Sequence, residues 1–171
     1  MSLSRAENTH SAATQSVNLV ELARELAIEH APRALAANQD IDFAVASPII
    51  LARCDPLLTT EIISNLLDNA IRYAGPAATI TVTIAEADEY IVLSVSDDGR
   101  GVGGEQRQRL TERFYRAGAD RDSSGSGLGL SIAKRLAQAM DGRLSIDADG
   151  IGVTVSLLLP PVYSDQDADH G

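Results

Sequence analysis

Tryptophan is absent, and aromatic residues of all kinds make up only 4% of the 171 residues. A core with so few large rings must be aliphatic. Leu, Ile, Val and Ala are plentiful enough, within a hydrophobic content of 44%, to fill one globular domain of ordinary size. Basic residues are also scarce: 14 Lys and Arg stand against 24 Asp and Glu, a formal net charge of -10. That balance argues against a nucleic-acid surface, which needs a basic footprint on the phosphate backbone. It leaves room for a nucleotide where a site supplies local positive charge, helix N-termini or a metal. Cys54 is the single cysteine, so no internal disulfide is available, and no ligand cluster surrounds it. It reads as a buried, inert thiol and fits a reducing cytosol. No apolar run approaches a membrane span, and "MSLSRAENTH" lacks the apolar centre of a signal peptide. A soluble fragment without direct membrane contact is expected.

What is present divides into a polar start, a patterned body and an acidic end. Residues 1–17 are polar and read as a disordered linker remnant or tag; 162–171 read as a disordered acidic tail. In the body, Leu19, Leu22, Ala23, Leu26 and Ala27 recur at helical spacing and predict a helix over 18–37, disturbed at Pro32. "IDFAVA" (41–46) and "IILARC" (49–54) read as a short strand pair split by Ser47 and Pro48. Asp55-Pro56 starts a second helix that runs to about Tyr73 and stops before Gly75-Pro76. Ile80, Val82 and Ile84 alternate with Thr79, Thr81 and Thr83, and Ile91, Leu93 and Val95 with Val92, Ser94 and Ser96, which predicts a hairpin. A short helix is expected within 104–113 and a mobile loop over 116–127. A third helix over 128–140 places Leu128, Ile132, Leu136 and Met140 on one stripe and closes at Gly142. "RLSIDA" and "GVTVSLLL" form a last hairpin around Asp149-Gly150. The sum is an α+β fold: a two-layer sandwich with a mixed, mostly antiparallel sheet of about five strands and about three helices on one face.

Three stretches carry possible chemistry. In "SNLLDNAIRYAG" (64–75), Ile63, Leu66, Leu67 and Ala70 form the apolar stripe. Glu61, Asn65, Asn69 and either Arg72 or Tyr73 run along a neighbouring ridge at i, i+4 spacing. Those asparagines either bond other side chains and loop backbone or serve as neutral ligands for a hard cation, with Arg72 placed to meet a phosphate. In "DDGRGVG", Asp97 ends a strand and Gly99, Gly101 and Gly103 follow at alternate positions. This is an ordinary turn-rich loop, or a place where backbone approaches a ligand and a carboxylate accepts from an exocyclic amine. In "GSGLGLS", glycines at 125, 127 and 129 lead into a helix whose N-terminal amides suit a phosphate. The spacing is neither a Rossmann fingerprint nor a Walker A box.

Taken in this order, the stretches resemble the catalytic and ATP-binding domain of a bacterial sensor histidine kinase, of the GHKL ATPase superfamily. "EIISNLLDNAIRYA" resembles its asparagine box, "DDGRGVG" its first glycine box, "ERFYRAG" its phenylalanine box, and "GSGLGLSIAKRLAQAMDGRLSIDA" its second glycine box and following helix. The likeness spans about residues 18–161. It implies that Asn69 coordinates the magnesium of Mg-ATP, with Asn65 supporting phosphates or metal. It implies that Arg72 contacts phosphates, that Tyr73 lines the site, and that Asp97 accepts from the adenine amine. Gly99 and Gly101 would let backbone near the base, Arg116 would reach the γ-phosphate, and 117–126 would form a lid. Gly127, Leu128, Gly129 and Leu130 would present amides to the phosphates.

The resemblance also bears on reaction type. Gyrase-like and mismatch-repair relatives carry a glutamate, as base for water, where this chain has Asn65. Glu61 lies a further turn away and reads as a solvated charge. The site therefore looks suited to holding ATP for another nucleophile. In the family that nucleophile is a histidine on a dimerisation domain, from which phosphate passes to an aspartate of a response regulator receiver domain. His10, His30 and His170 lack the phosphoacceptor context, so the chain reads as an excised catalytic domain, cytoplasmic, from a parent anchored in the bacterial inner membrane. Thr111 stands where an aromatic is usual, Ser-Ser-Gly-Ser where Gly-Gly-Thr-Gly is common, and Gly104 where Pro or Ser is usual. Other readings are an anti-sigma-factor type serine kinase, a nucleotide-sensing module without catalysis, and a scaffold that ignores ATP.

Overall fold

The computed structural model describes residues 12–99, 128–148 and 151–162. Among them the chain forms β1 (Gln15–Asn18), α1 (Leu19–Ala36), β2 (Asp40–Ala44), β3 (Leu51–Cys54), α2 (Pro56–Ala74), β4 (Thr79–Glu86), β5 (Ile91–Asp97), α3 (Leu128–Ala139), β6 (Arg143–Asp147) and β7 (Thr154–Leu159). A five-stranded sheet has the order β2-β4-β5-β7-β6, and β1 and β3 form a separate two-stranded sheet. β2 runs parallel to β4, and the other pairs are antiparallel. The buried residues of β4, β5, β6 and β7 alternate strictly, so one face of the sheet meets the three helices. The layer between is aliphatic, with Leu19, Ile62, Leu66, Leu67, Ile80, Leu93, Leu130 and Leu157 almost wholly enclosed. The architecture is the α+β sandwich expected from the pattern.

α2 is the central helix, packed between α1 and α3 and over β4 and β5. Its start follows from Asp55, whose Oδ1 accepts from the N–H of Leu57 at 2.9 Å and of Leu58 at 3.4 Å, satisfying amides that no helix can bond internally. The Thr59, Ile62, Ile63, Leu66, Leu67, Ala70, Ile71 and Ala74 side chains are buried, an apolar face that includes the whole expected stripe.

Several local expectations change. The 41–46 and 49–54 segments are not partners: β2 pairs with β4 and β3 with β1. The connection from β2 to β4 contains α2, and a helical crossover is what sets strands parallel. β1 begins at Gln15, inside the stretch expected as linker. α1 continues through Pro32 to Ala36 without a break. On α3 the buried positions are Leu130, Ala133, Ala137 and Met140, whereas Ile132 is 39% exposed. A strict i, i+4 line drifts around a helix of 3.6 residues per turn, while alternating steps of three and four follow its axis. α3 closes through Asp141, at φ 59, with the Gly142 N–H returning to Ala137 O at 2.8 Å. The expected helix within 104–113, the turn at Asp149-Gly150, residues 1–11 and the tail from 163 lie outside the described residues.

Candidate functional site

On α2, Asn65, Asn69 and Tyr73 follow one another at i, i+4 and i+8 and stack along one half-buried ridge beside the apolar face. The opposing wall comes from the sheet. β5 ends at Asp97, whose N–H donates to Val153 O at 3.1 Å, so the end of β5 is stitched to the approach to β7. Asn69, Tyr73 and Asp97 meet around one pocket with an aliphatic lining that includes Leu66, Val95 and Val155. Its free volume is about 10 Å³, room for a single water. Tyr73 Oη is buried there and has no hydrogen-bond partner among the described residues.

The two adjacent aspartates diverge, as successive strand residues do. Asp97 is 9% exposed, whereas Asp98 faces solvent and its Oδ1 accepts from the Thr79 N–H at 3.1 Å, fixing the start of β4. Below Asp97 two glycines cross. A Cβ on Gly99 (φ +67) would stand 1.9 Å from Gly152 Cα; one on Gly152 (φ +83) would stand 2.0 Å from Asp97 O and 2.9 Å from its Oδ1. No side chain fits either position. The space that Gly99 leaves open is filled by the backbone of Gly152. Sequence reasoning passes over Gly152, whose signal is a glycine just ahead of a strand, where backbones approach closely.

The rear of α2 is tied to α1. Asp68 pairs with Arg33, and His30 Nε2 lies 3.2 Å from Asp68 Oδ1 while His30 Nδ1 lies 2.8 Å from Leu26 O. His30 is thus a buried residue inside α1. Glu61 and Arg72 are exposed, and neither lines the pocket. Leu130 puts its side chain in the core, which leaves only its amide for a ligand. Leu128 and Gly129 open α3. Gly101, Arg116, Gly127 and residues 117–126 lie outside the described residues. At the far end of α2, burial pushes the Cys54 thiol above its usual 9.0, a Thr59 hydrogen bond opposes that, and the Asp55 charge adds to the rise. This is an inert thiol. No described helix is long and apolar enough to cross a membrane. No group of three His, Cys, Asp or Glu among the described residues could hold a metal.

Known proteins resemble the chain in sequence and in fold. The chain is 34% identical over 145 residues to sensor protein EvgS of Escherichia coli, covering 80% of this chain and 12% of EvgS. It is 31% identical over 151 residues to sensor protein kinase PmrB of Pseudomonas aeruginosa, covering 87% of this chain and 31% of PmrB. It therefore spans less than a third of these relatives. The catalytic domain of histidine kinase ThkA shares the fold with a TM-score of 0.73 at 23% identity, over 86% of this chain and 97% of that one. Full-length ShkA in complex with AMPPNP matches with a TM-score of 0.72 at 29% identity, over 90% of this chain and 32% of that one. A family model for histidine kinase-, DNA gyrase B- and HSP90-like ATPases covers residues 54–163. With an asparagine ridge facing a strand-end aspartate inside that span, the chain belongs to this ATPase family, as a catalytic domain of the sensor histidine kinase type.

Proposed function

We propose that the domain binds Mg-ATP between α2 and the Asp97 end of the sheet and holds the γ-phosphate for a histidine on the dimerisation and phosphoacceptor domain of its parent kinase. The carrying observation is that Asn69, Tyr73 and Asp97, from separate elements, converge on one pocket. The donor set fits the ligand: a buried carboxylate for an exocyclic amine, a buried phenol with no described partner, and an amide oxygen on a rigid helix. The small free volume makes these walls the inner end of the site, around one edge of the base.

In this reading Asp97 selects adenine, held at its height by the crossing of Gly99 and Gly152. Tyr73 lines the base side. Asn69 would hold the magnesium ion, whose chemistry when bound is to neutralise phosphate charge. Asn65 supports phosphates or metal one turn earlier, and Arg72 and Arg116 contact phosphates. The amides of Gly127, Leu128, Gly129 and Leu130 complete the phosphate contacts, and Gly101 admits backbone toward the base. Asn65 is a neutral amide and abstracts no proton from water, which favours transfer over hydrolysis. The acceptor histidine nitrogen bonds to the γ-phosphorus as the bond to the β–γ bridging oxygen breaks, leaving ADP; the phosphate then passes to a receiver-domain aspartate. AMPPNP in the ShkA complex and the ThkA complex with a response regulator support these partners. A cytoplasmic place beneath a membrane-anchored parent accords with the sensor kinase relatives.

Calorimetric titration with ATP, with and without magnesium and with GTP as control, tests the reading. Magnesium-dependent, adenine-selective binding is expected; absence of binding removes the enzyme assignment.

A further inference from the structure

Gln39 sits between α1 and β2 and is 4% exposed. Its backbone N–H donates to Ala34 O at 2.8 Å, which ties it to the last turn of α1. Its side chain reaches α2: Nε2 donates to Ile71 O at 3.0 Å and to Gly75 O at 3.1 Å. A helix ends with carbonyls that lack internal donors, and a left-handed residue just past the end commonly returns an N–H to them. Gly75, at φ 83 and ψ 169, lets the chain leave in an extended direction instead. The amide of Gln39 stands in for that missing turn. Two backbone bonds close the same junction, Ala77 N–H to Asn38 O at 2.8 Å and Asp40 N–H to Ala78 O at 3.1 Å.

We infer that Gln39 is a positioning residue for the phosphate half of the site: through Ile71 O and Gly75 O it fixes the last turn of α2, and so the placement of Asn69 and Arg72. The inference rests on the ATP reading above. Asp97 belongs to a different anchorage, held by Val153 and the glycine crossing, so of the base contacts only that of Tyr73, within the turn that Gln39 ties, depends on Gln39. Loss of the side-chain amide therefore weighs more on the phosphate half than on the base half.

The test is calorimetry on the wild-type chain and Gln39→Met, which keeps the volume and removes the donors, with Mg-ATP and with adenosine alone. Mg-ATP affinity falls by about tenfold and adenosine affinity by clearly less, about threefold or under. Equal losses for both ligands would reduce Gln39 to a general structural role and overturn the inference, as would no loss for either. A wild-type chain that fails to bind Mg-ATP overturns the ATP reading and this inference with it, whereas wild-type binding with an unaffected variant overturns the inference alone. Should the variant fail to fold, the side-chain amide resonances of Gln39 in the wild-type chain decide: they shift with Mg-ATP and not with adenosine, and resonances indifferent to Mg-ATP overturn the inference.

Discussion

The two ends of α2 are secured in different ways. At the start the cap itself is local, with Asp55 Oδ1 reaching two and three residues ahead and Pro56 presetting the first turn, while Asp55 Oδ2 also accepts from the Ala13 N–H and the Asp55 N–H meets Met140 Sδ. At the finish the donors come from Gln39, 32 residues from Ile71 and 36 from Gly75. The start serves stability, and the half nearer the finish carries Asn69, Arg72 and Tyr73. A helix that must present ligands at a fixed angle gains from an anchor in another element, because that anchor ties the helix to the fold and not only to its own neighbours.

The comparison is sharpened most by changing the site beyond the finish. Asp97→Asn keeps the shape and replaces an acceptor with a donor, so ATP affinity falls by roughly a hundredfold or more in a folded domain. Unchanged affinity with an unchanged circular dichroism spectrum would refute the adenine contact. Asn69→Ala comes next: it removes the gain in ATP affinity on adding magnesium, about tenfold, and a surviving gain would take the metal from Asn69. Asp55→Ala acts at the other end, costing about 1 kcal/mol in urea unfolding. ATP affinity is unaltered; a loss matching that of Asn69→Ala would show that the ends are not separable. The smallest effect concerns Cys54. Burial raises its pKa and encloses the sulfur, so Ellman's reagent labels it only as the domain unfolds. Labelling at the rate of free cysteine would contradict the buried setting.

What was legible in the sequence was local. Period-two alternation gave β4 and β5, and Asp55-Pro56 gave the start of α2, because each pattern reports a short-range physical constraint. The α2 ridge with Asn65 and Asn69 was legible for the same reason. The partners of β2, the true face of α3, and Gln39 were not, since each depends on which distant element arrives beside it. Gly152 lies between these cases: its glycine is visible, but the backbone of Asp97 that demands it is supplied only by the folded sheet. Gly101, Arg116 and Gly127 rest on the resemblance.

Among the described residues the sheet order leaves β2 and β6 as its two borders. A border strand offers unpaired amides and carbonyls to any other strand it meets. β2 is short and carries Asp40 and Asp42 on its exposed positions, and β6 begins with Arg143 and ends with Asp147. Two domains brought edge to edge along β2 would bring the exposed Asp40 and Asp42 of one near those of the other. In a chain of net charge -10, that like-charge repulsion works against strand-to-strand pairing along β2.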